Sequence, residues 1–244
     1  MKANANTAVL TPAITLVPYS PHHVPTYHTW MADPALQAAT ASEPLTLDQE
    51  HAMQHSWRLD RDKLTFILCL PLAGPEAADI DLLPSQADVP DRMVGDVNLF
   101  LESLDPEDVC PELAAANRCK AGTTPVPIAG ELEIMIASPA QRRRGLGRAA
   151  LLAFLWYVRT HLVLLLEEYE PSGGAWLVYL RVRIGAENTG SIALFEGLGF
   201  ERVPGGPNYF GEEELRLDTG KGWWERVVER VGWEKPREVR YDEY

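Results

Sequence analysis

The stretch Gly130–Val158, GELEIMIASPAQRRRGLGRAALLAFLWYV, constrains the fold more than any other part of the chain. Over Gly130–Ser138, Glu131, Glu133 and Met135 alternate with Leu132, Ile134 and Ile136, the period-two pattern of a strand with two unlike faces. From Leu146 a long apolar run predicts a helix reaching about Leu166. Between them stand Arg142, Arg143, Arg144 and Arg148, with glycines at 145 and 147. Strand, tight turn and helix therefore follow one another, and the arginines collect where the helix starts.

That is the wrong end for positive charge. A helix N-terminus carries partial positive charge and N–H groups without intrahelical partners. Arginines there repel the dipole unless an anion sits among them. Gly145 and Gly147 let an anion approach the backbone, while Arg144 and Arg148 offer bidentate hydrogen bonds to phosphate. Arg142 and Arg143 reinforce the field. The competing reading is a solvated helix start whose glycines only make a turn. The P-loop pattern is absent. Gly145, Gly147 and Ala150 meet the looser dinucleotide pattern, but that fold wants an acidic residue ending the next strand. Here Glu167 and Glu168 precede that strand.

The 244-residue chain has a formal net charge of −13, which argues against general nucleic-acid binding, since that needs a broad basic field. Its first residues lack a signal-peptide pattern. Arg159 and His161 interrupt the most apolar stretch, so no membrane span is expected. Cys69, Cys110 and Cys119 fit neither a disulfide framework nor a zinc ribbon, which favours a reducing compartment, the cytoplasm or the nucleus. His51 and His55 are four apart on a predicted helix, but without a further ligand they imply no metal site.

Elsewhere, strands are expected near Ala13–Ser20, Leu64–Leu70, Met93–Ser103, Trp176–Ile184, Glu201–Val203 and Phe210–Leu217. Two helices fall between the first two strands. The second opens on Thr46, with Gln49 completing a capping box. A further helix over NTGSIALFEGLGF stops at Gly199. Loop insertions are expected near 71–91, 104–128 and 167–175, with one domain over 1–218 and an extension over 219–244. In the extension, Trp224, Val227, Val228 and Val231 recur at helical spacing.

Arg142-Arg143-Arg144-Gly145-Leu146-Gly147 resembles the [RQ]-x-x-G-x-[GA] motif of the GCN5-related N-acetyltransferase (GNAT) superfamily. NTGSIALFEGLGF resembles that superfamily's later N-x-x-[SA]-x-x-[LF]-[YF]-x-x-x-G-F segment, in the expected order. LVPYSPHHVPTYHTWM, ASEPLTLDQEHAMQHSW, MVGDVNLFL and GELEIMIA are similar to its N-acetyltransferase 9-like branch, associated with tubulin N-terminal acetylation. The likeness covers about residues 10–217.

The resemblance implies an α/β GNAT fold: a mixed, mostly antiparallel sheet of about seven strands flanked by helices and splayed between the fourth and fifth. It implies acetyl-CoA as co-substrate. Backbone N–H groups of Arg143 to Arg148 would hold its pyrophosphate, and Met135 and Ile136 would pair with pantetheine. Asn188 would bond the pantetheine arm, and Phe195 would pack beside the thiol. The acceptor would be a protein N-terminus, tubulin being the one the branch suggests, attacking the thioester directly.

Glu131 and Glu133 project from one strand face and are the candidate general bases, acting directly or through water. Solvated strand carboxylates are the competing reading. Many superfamily members carry tyrosine where this chain has Phe195, and phenylalanine cannot protonate a leaving thiolate. An α-amine, with a pKa of about 7.7–8.0, is far more often neutral at pH 7 than a lysine near 10.4, so it asks less of the site. A non-catalytic acyl-CoA-binding module and a small-molecule amine acetyltransferase are the alternatives.

Overall fold

A computed structural model describes residues 1–71, 82, 84–110 and 125–241. Parts of the expected loops at 71–91 and 104–128, Cys119 among them, lie outside the described residues.

The strands are β1 (Thr7–Leu10), β2 (Thr15–Pro18), β3 (Lys63–Cys69), β4 (Met93–Ser103), β5 (Val126–Ile136), β6 (Ala175–Gly185), β7 (Glu201–Arg202), β8 (Glu212–Asp218) and β9 (Arg237–Arg240). They form one mixed sheet in the order β7-β8-β6-β5-β4-β3-β2-β1-β9. The helices are α1 (Val24–Met31), α2 (Pro34–Ala39), α3 (Leu47–Leu59), α4 (Leu146–Tyr169), α5 (Thr189–Leu198) and α6 (Trp223–Val231). All seven expected strands are present, and β1 and β9 add two more. Charged β9 reads REVR and carries no apolar alternation, so its sequence does not announce a strand. It is an edge strand held by antiparallel pairing to β1, from Thr7↔Arg240 to Leu10↔Arg237.

The chain divides into two compact units, with β4, β5 and α4 each contributing to both. The first comprises Met1–Asn98, Ile134–Tyr157 and Glu234–Tyr244. Within it β2 pairs antiparallel with β3 and with β1. The Thr46–Gln49 capping box forms as expected: the Thr46 hydroxyl accepts from the Gln49 N–H at 3.3 Å, and the Gln49 side chain accepts from the Thr46 N–H at 2.8 Å. The 24-residue α4 is long and apolar enough to cross a membrane by length and composition alone. Its residues Ala150–Tyr157, however, are buried core. Phe154 and Tyr157 meet the Phe66 ring edge-on at 6.0 and 5.0 Å, and the Tyr157 hydroxyl donates to the Ala3 carbonyl. Fully burying each ring contributes about 1.5–3 kcal/mol.

The second unit comprises Leu99–Glu133 and Val158–Trp233. Here β6 pairs parallel with β5 and antiparallel with β8, and β7 pairs with β8. The parallel ladder ends at Glu131↔Arg181, although β5 continues to Ile136 and β6 to Gly185. The Asn188 side chain caps α5 by accepting from the Ser191 N–H at 3.1 Å, and Gly199 ends the helix at φ +97°. In α6, Trp223, Trp224 and Val227 are buried.

Candidate functional site

In the first unit, β5 runs into a single 3-10 turn at Pro139–Gln141 and then the arginine-glycine loop. Arg142 does not reach outward. Its Nε donates to the Ile136 carbonyl at 2.8 Å and a terminal nitrogen donates to that of Ala137 at 3.1 Å, bracing the loop on the strand end. Arg144 donates to Gln141 Oε1 at 2.7 Å. Arg143, at φ +62°, and Gly145, at φ +82°, lie in the left-handed region. For Arg143 that conformation costs about 1 kcal/mol or more, a strain of the kind concentrated at ligand-binding loops. Left-handed residues in such a turn aim successive N–H groups into one concavity suited to an anion.

Gly145 is needed for its backbone and for open space, since a Cβ there would meet nothing within 4 Å. The N–H of Ala149 bonds back to the Gly145 carbonyl at 3.0 Å. The amides of Leu146 and Gly147, ahead of it, therefore have no intrahelical acceptor. An exposed, glycine-opened loop over a helix start fits a pyrophosphate.

Beside this loop, Ala137 N–H donates to the Val94 carbonyl, so β4 lies against the end of β5. A Cβ at Gly95 would fall 1.8 Å from the Met135 carbonyl oxygen, so only glycine permits that approach. Met135 is buried and Ile136 half-buried.

The next residue, Asp96, belongs to a buried polar cluster. Its Oδ2 accepts from Asn98 Nδ2 at 2.9 Å and from the Tyr27 hydroxyl at 3.4 Å. Burial pushes the Asp96 carboxyl up to about 6 against the pull of these two hydrogen bonds. Burial also raises Tyr19, Tyr27 and Glu50, the tyrosines being raised further by the Asp96 and Glu50 charges. The Tyr19 and Tyr27 rings meet at 5.3 Å, tilted by 38°, and His28 Nδ1 lies 3.8 Å from Glu50 Oε1. Among the described residues, the Tyr19 hydroxyl, Glu50 Oε2 and Asn98 Oδ1 are buried without a hydrogen-bond partner. Unpaired buried acceptors are rare and costly. Sequence reasoning passed over this cluster. Its signal was two polar residues, Asp96 and Asn98, at i and i+2 of an apolar strand.

In the second unit, Glu131 is half-buried and its Oε2 accepts from Arg181 Nε at 2.8 Å and from Arg183 at 3.0 Å. Arg181 also binds Glu102 at 2.5 Å; these carboxylates raise its pKa although burial works the other way. Glu131 is thus tied into a carboxylate–guanidinium ladder across β5 and β6. Glu133, two residues on, is exposed. Exposed Asn188 spends its side-chain oxygen on the α5 cap. Phe195 is buried and meets Phe200 edge-on at 5.2 Å, presenting no hydroxyl.

Among the described residues one trio has the spacing of metal ligands, His22, His23 and Asp88. Its hydrogen bonds argue for a clasp. The Ser20 N–H donates to His23 Nδ1 at 3.0 Å, which leaves the proton on Nε2. His23 Nε2 and His22 Nε2 then each donate to Asp88 Oδ2 at 2.8 Å, and the Tyr241 hydroxyl donates at 2.6 Å. Burial alone would raise the Asp88 carboxyl, but these three donors outweigh it and hold it far below the usual range.

The chain matches the model of the acetyltransferase (GNAT) domain over residues 13–201. It is 42% identical over 226 residues to an N-acetyltransferase 9-like protein of Schizosaccharomyces pombe, covering 89% of this chain and 98% of the relative. It is 38% identical over 234 residues to human alpha/beta-tubulin-N-acetyltransferase 9, covering 95% and 92%. Among solved structures, aminoglycoside acetyltransferase AAC(6')-Ib in complex with coenzyme A superposes with a TM-score of 0.53 at 14% identity, covering 90% of this chain and 99% of that one. Spermidine N-acetyltransferase from Vibrio cholerae, with CoA and spermine, gives 0.53 at 16%, covering 84% and 94%. The last two comparisons speak to the fold. The family model and the curated relatives lead to one conclusion: the chain belongs to the GNAT acetyltransferase family and is an N-acetyltransferase that uses acetyl-CoA.

Proposed function

We propose that the acceptor is the N-terminal α-amine of a protein, with tubulin the first candidate and the cytoplasm the setting. The observation that carries this reading is the 38% identity, over 95% of the chain, to a relative named for tubulin N-acetylation. Phe195 supports it, because a site without the tyrosine hydroxyl suits an amine that is already partly neutral at pH 7.

Acetyl-CoA supplies an activated acetyl thioester. In this reading the amides of 143–148 hold its pyrophosphate, with Arg142 and Arg144 shaping the loop. The Met135–Ile136 backbone lines the pantetheine, Asn188 meets its arm, and Phe195 gives an apolar wall. Of the two strand carboxylates, Glu131 is half-buried against Arg181 and Arg183 and Glu133 is exposed to an incoming amine, so this reading gives Glu133 the proton. Asp96 is a second candidate, for it sits beside the Gly95–Met135 approach and shares a hydrogen bond with Tyr27.

The test is CoA release with peptides whose N-termini are free or blocked. Turnover should require the free N-terminus. Equal turnover of a blocked, lysine-containing peptide would refute the assignment.

A further inference from the structure

The second unit holds a groove of about 620 Å³ that acetyl transfer leaves without a role. Val203 and Pro204, beyond β7, give it accessible apolar surface, over buried Leu198, Leu217 and Val227. Five cations line it: Arg202, Arg216, Lys221, Arg226 and Arg230. The lining carboxylates are Glu201 and Asp218, in a chain whose formal net charge is −13. Positive charge therefore concentrates locally against the sign of the whole molecule.

Two of the cations are already neutralised. Arg202 pairs with Glu196 at 2.8 Å, and Arg216 pairs with Glu214 at 2.6 Å while lying over the Tyr179 ring. The other three belong to the segment around α6, and among the described residues none has a carboxylate within 4.0 Å. Arg226 donates only to the backbone carbonyls of Lys221 and Asp218, at 3.0 Å each. Asp218 turns its own carboxylate onto the Gly220 N–H at 2.8 Å. Arg230 lies over Gly199, where an added Cβ would come within 3.3 Å of its Nε.

We propose that this groove binds an acidic peptide segment. Its carboxylates would meet Lys221, Arg226 and Arg230, and its side-chain stems would rest on Val203 and Pro204. The volume lies within the usual range for a ligand pocket. The apolar floor gives a peptide contacts that a bare inorganic anion would not use. A polynucleotide would need a broad basic field, which a protein of this net charge lacks.

The probe is a fluorescein-labelled deca-glutamate peptide, with deca-glutamine as control, followed by fluorescence anisotropy on the full chain. Deca-glutamate should bind at least about tenfold more tightly than the control, and raising NaCl from about 50 to 300 mM should weaken it several-fold. Lys221→Glu with Arg230→Glu should cost at least about tenfold in affinity and leave peptide acetylation and circular dichroism unchanged. Lys221→Glu alone, which leaves the Gly199 contact in place, should give a smaller loss of the same sign. Equal binding of the two peptides, or unchanged affinity in the double variant, would overturn the proposal. So would a single-stranded RNA that binds the groove as tightly, or loss of peptide binding in Gly145→Glu, which would put the anion at the loop before α4.

Discussion

Replacing Asp96 by Asn should make the protein more stable at neutral pH. Burial holds the Asp96 carboxyl at about 6 in the folded state, against 3.8 when exposed. At about 1.4 kcal/mol per pH unit, that gap is a penalty of about 3 kcal/mol on the ionised form. The sign follows from proton counting. Between about pH 4 and 6 the folded chain keeps a proton that the unfolded chain has lost, so stability falls as pH rises and then levels off. Asparagine is nearly isosteric, carries no charge, and its oxygen can still accept from Asn98 and Tyr27. Urea unfolding followed by fluorescence of the seven tryptophans at pH 4 to 8 measures the difference. The variant should gain up to about 3 kcal/mol at pH 7.5, and the gain should shrink toward zero near pH 4. The groups facing Asp96 do not disturb the comparison. Glu50, raised by burial, adds a slope of the same sign to both proteins, and Tyr19 and Tyr27 titrate above the range. Parallel stability curves for the two proteins would refute the reasoning. An accompanying fall in acetylation would show that the penalty is kept for function, as expected when a strained group serves the chemistry.

Gly145→Glu places a carboxylate in the anion's path and forces a non-glycine residue to φ +82°, at a cost of about 1–2 kcal/mol. Calorimetry should show acetyl-CoA binding lost while circular dichroism shows the fold kept. Glu133→Gln should lower kcat by about tenfold or more if Glu133 takes the proton. Glu131→Gln should instead lower stability by about 1–3 kcal/mol, because it strips a charged partner from nearly buried Arg181, with kcat changed little. Asp88→Asn weakens three hydrogen bonds and should cost about 2–4 kcal/mol at pH 7. Since the folded Asp88 pKa is depressed, that contribution is present above about pH 4 and lost below it, so the two unfolding curves should converge in acid.

How much of this was legible in the sequence depends on how local the cause is. The Thr46–Gln49 box and the Asn188 and Gly199 caps of α5 need only neighbouring residues, and each formed as read. The loop before α4 was legible for the same reason: four arginines against a helix dipole form a local contradiction. Its detail was not, because Arg142 is held by the carbonyls of Ile136 and Ala137, and bracing looks the same in a sequence as binding. Strand β9 escaped because its partner β1 lies some 230 residues away and REVR offers only one apolar residue, and β1 escaped because it is only four residues long. Glu131 and Glu133 look equivalent along the chain, yet Glu131 is half-buried against Arg181 and Arg183 while Glu133 is exposed.

Asp96 was hidden by a different cause. A strand covered on one face should alternate, and two polar residues at i and i+2 would then mark its wet side. Yet β4 is buried on both faces from Met93 to Leu99, so the same pair lies inside. There a carboxylate must be neutralised, paired or kept for a purpose. Among the described residues Asp96 has two neutral donors and no cation partner, and the oxygen of its donor Asn98 is itself unpaired. Packing alone would favour an uncharged group at this position, on the strand beside Met135, which is what the asparagine variant measures.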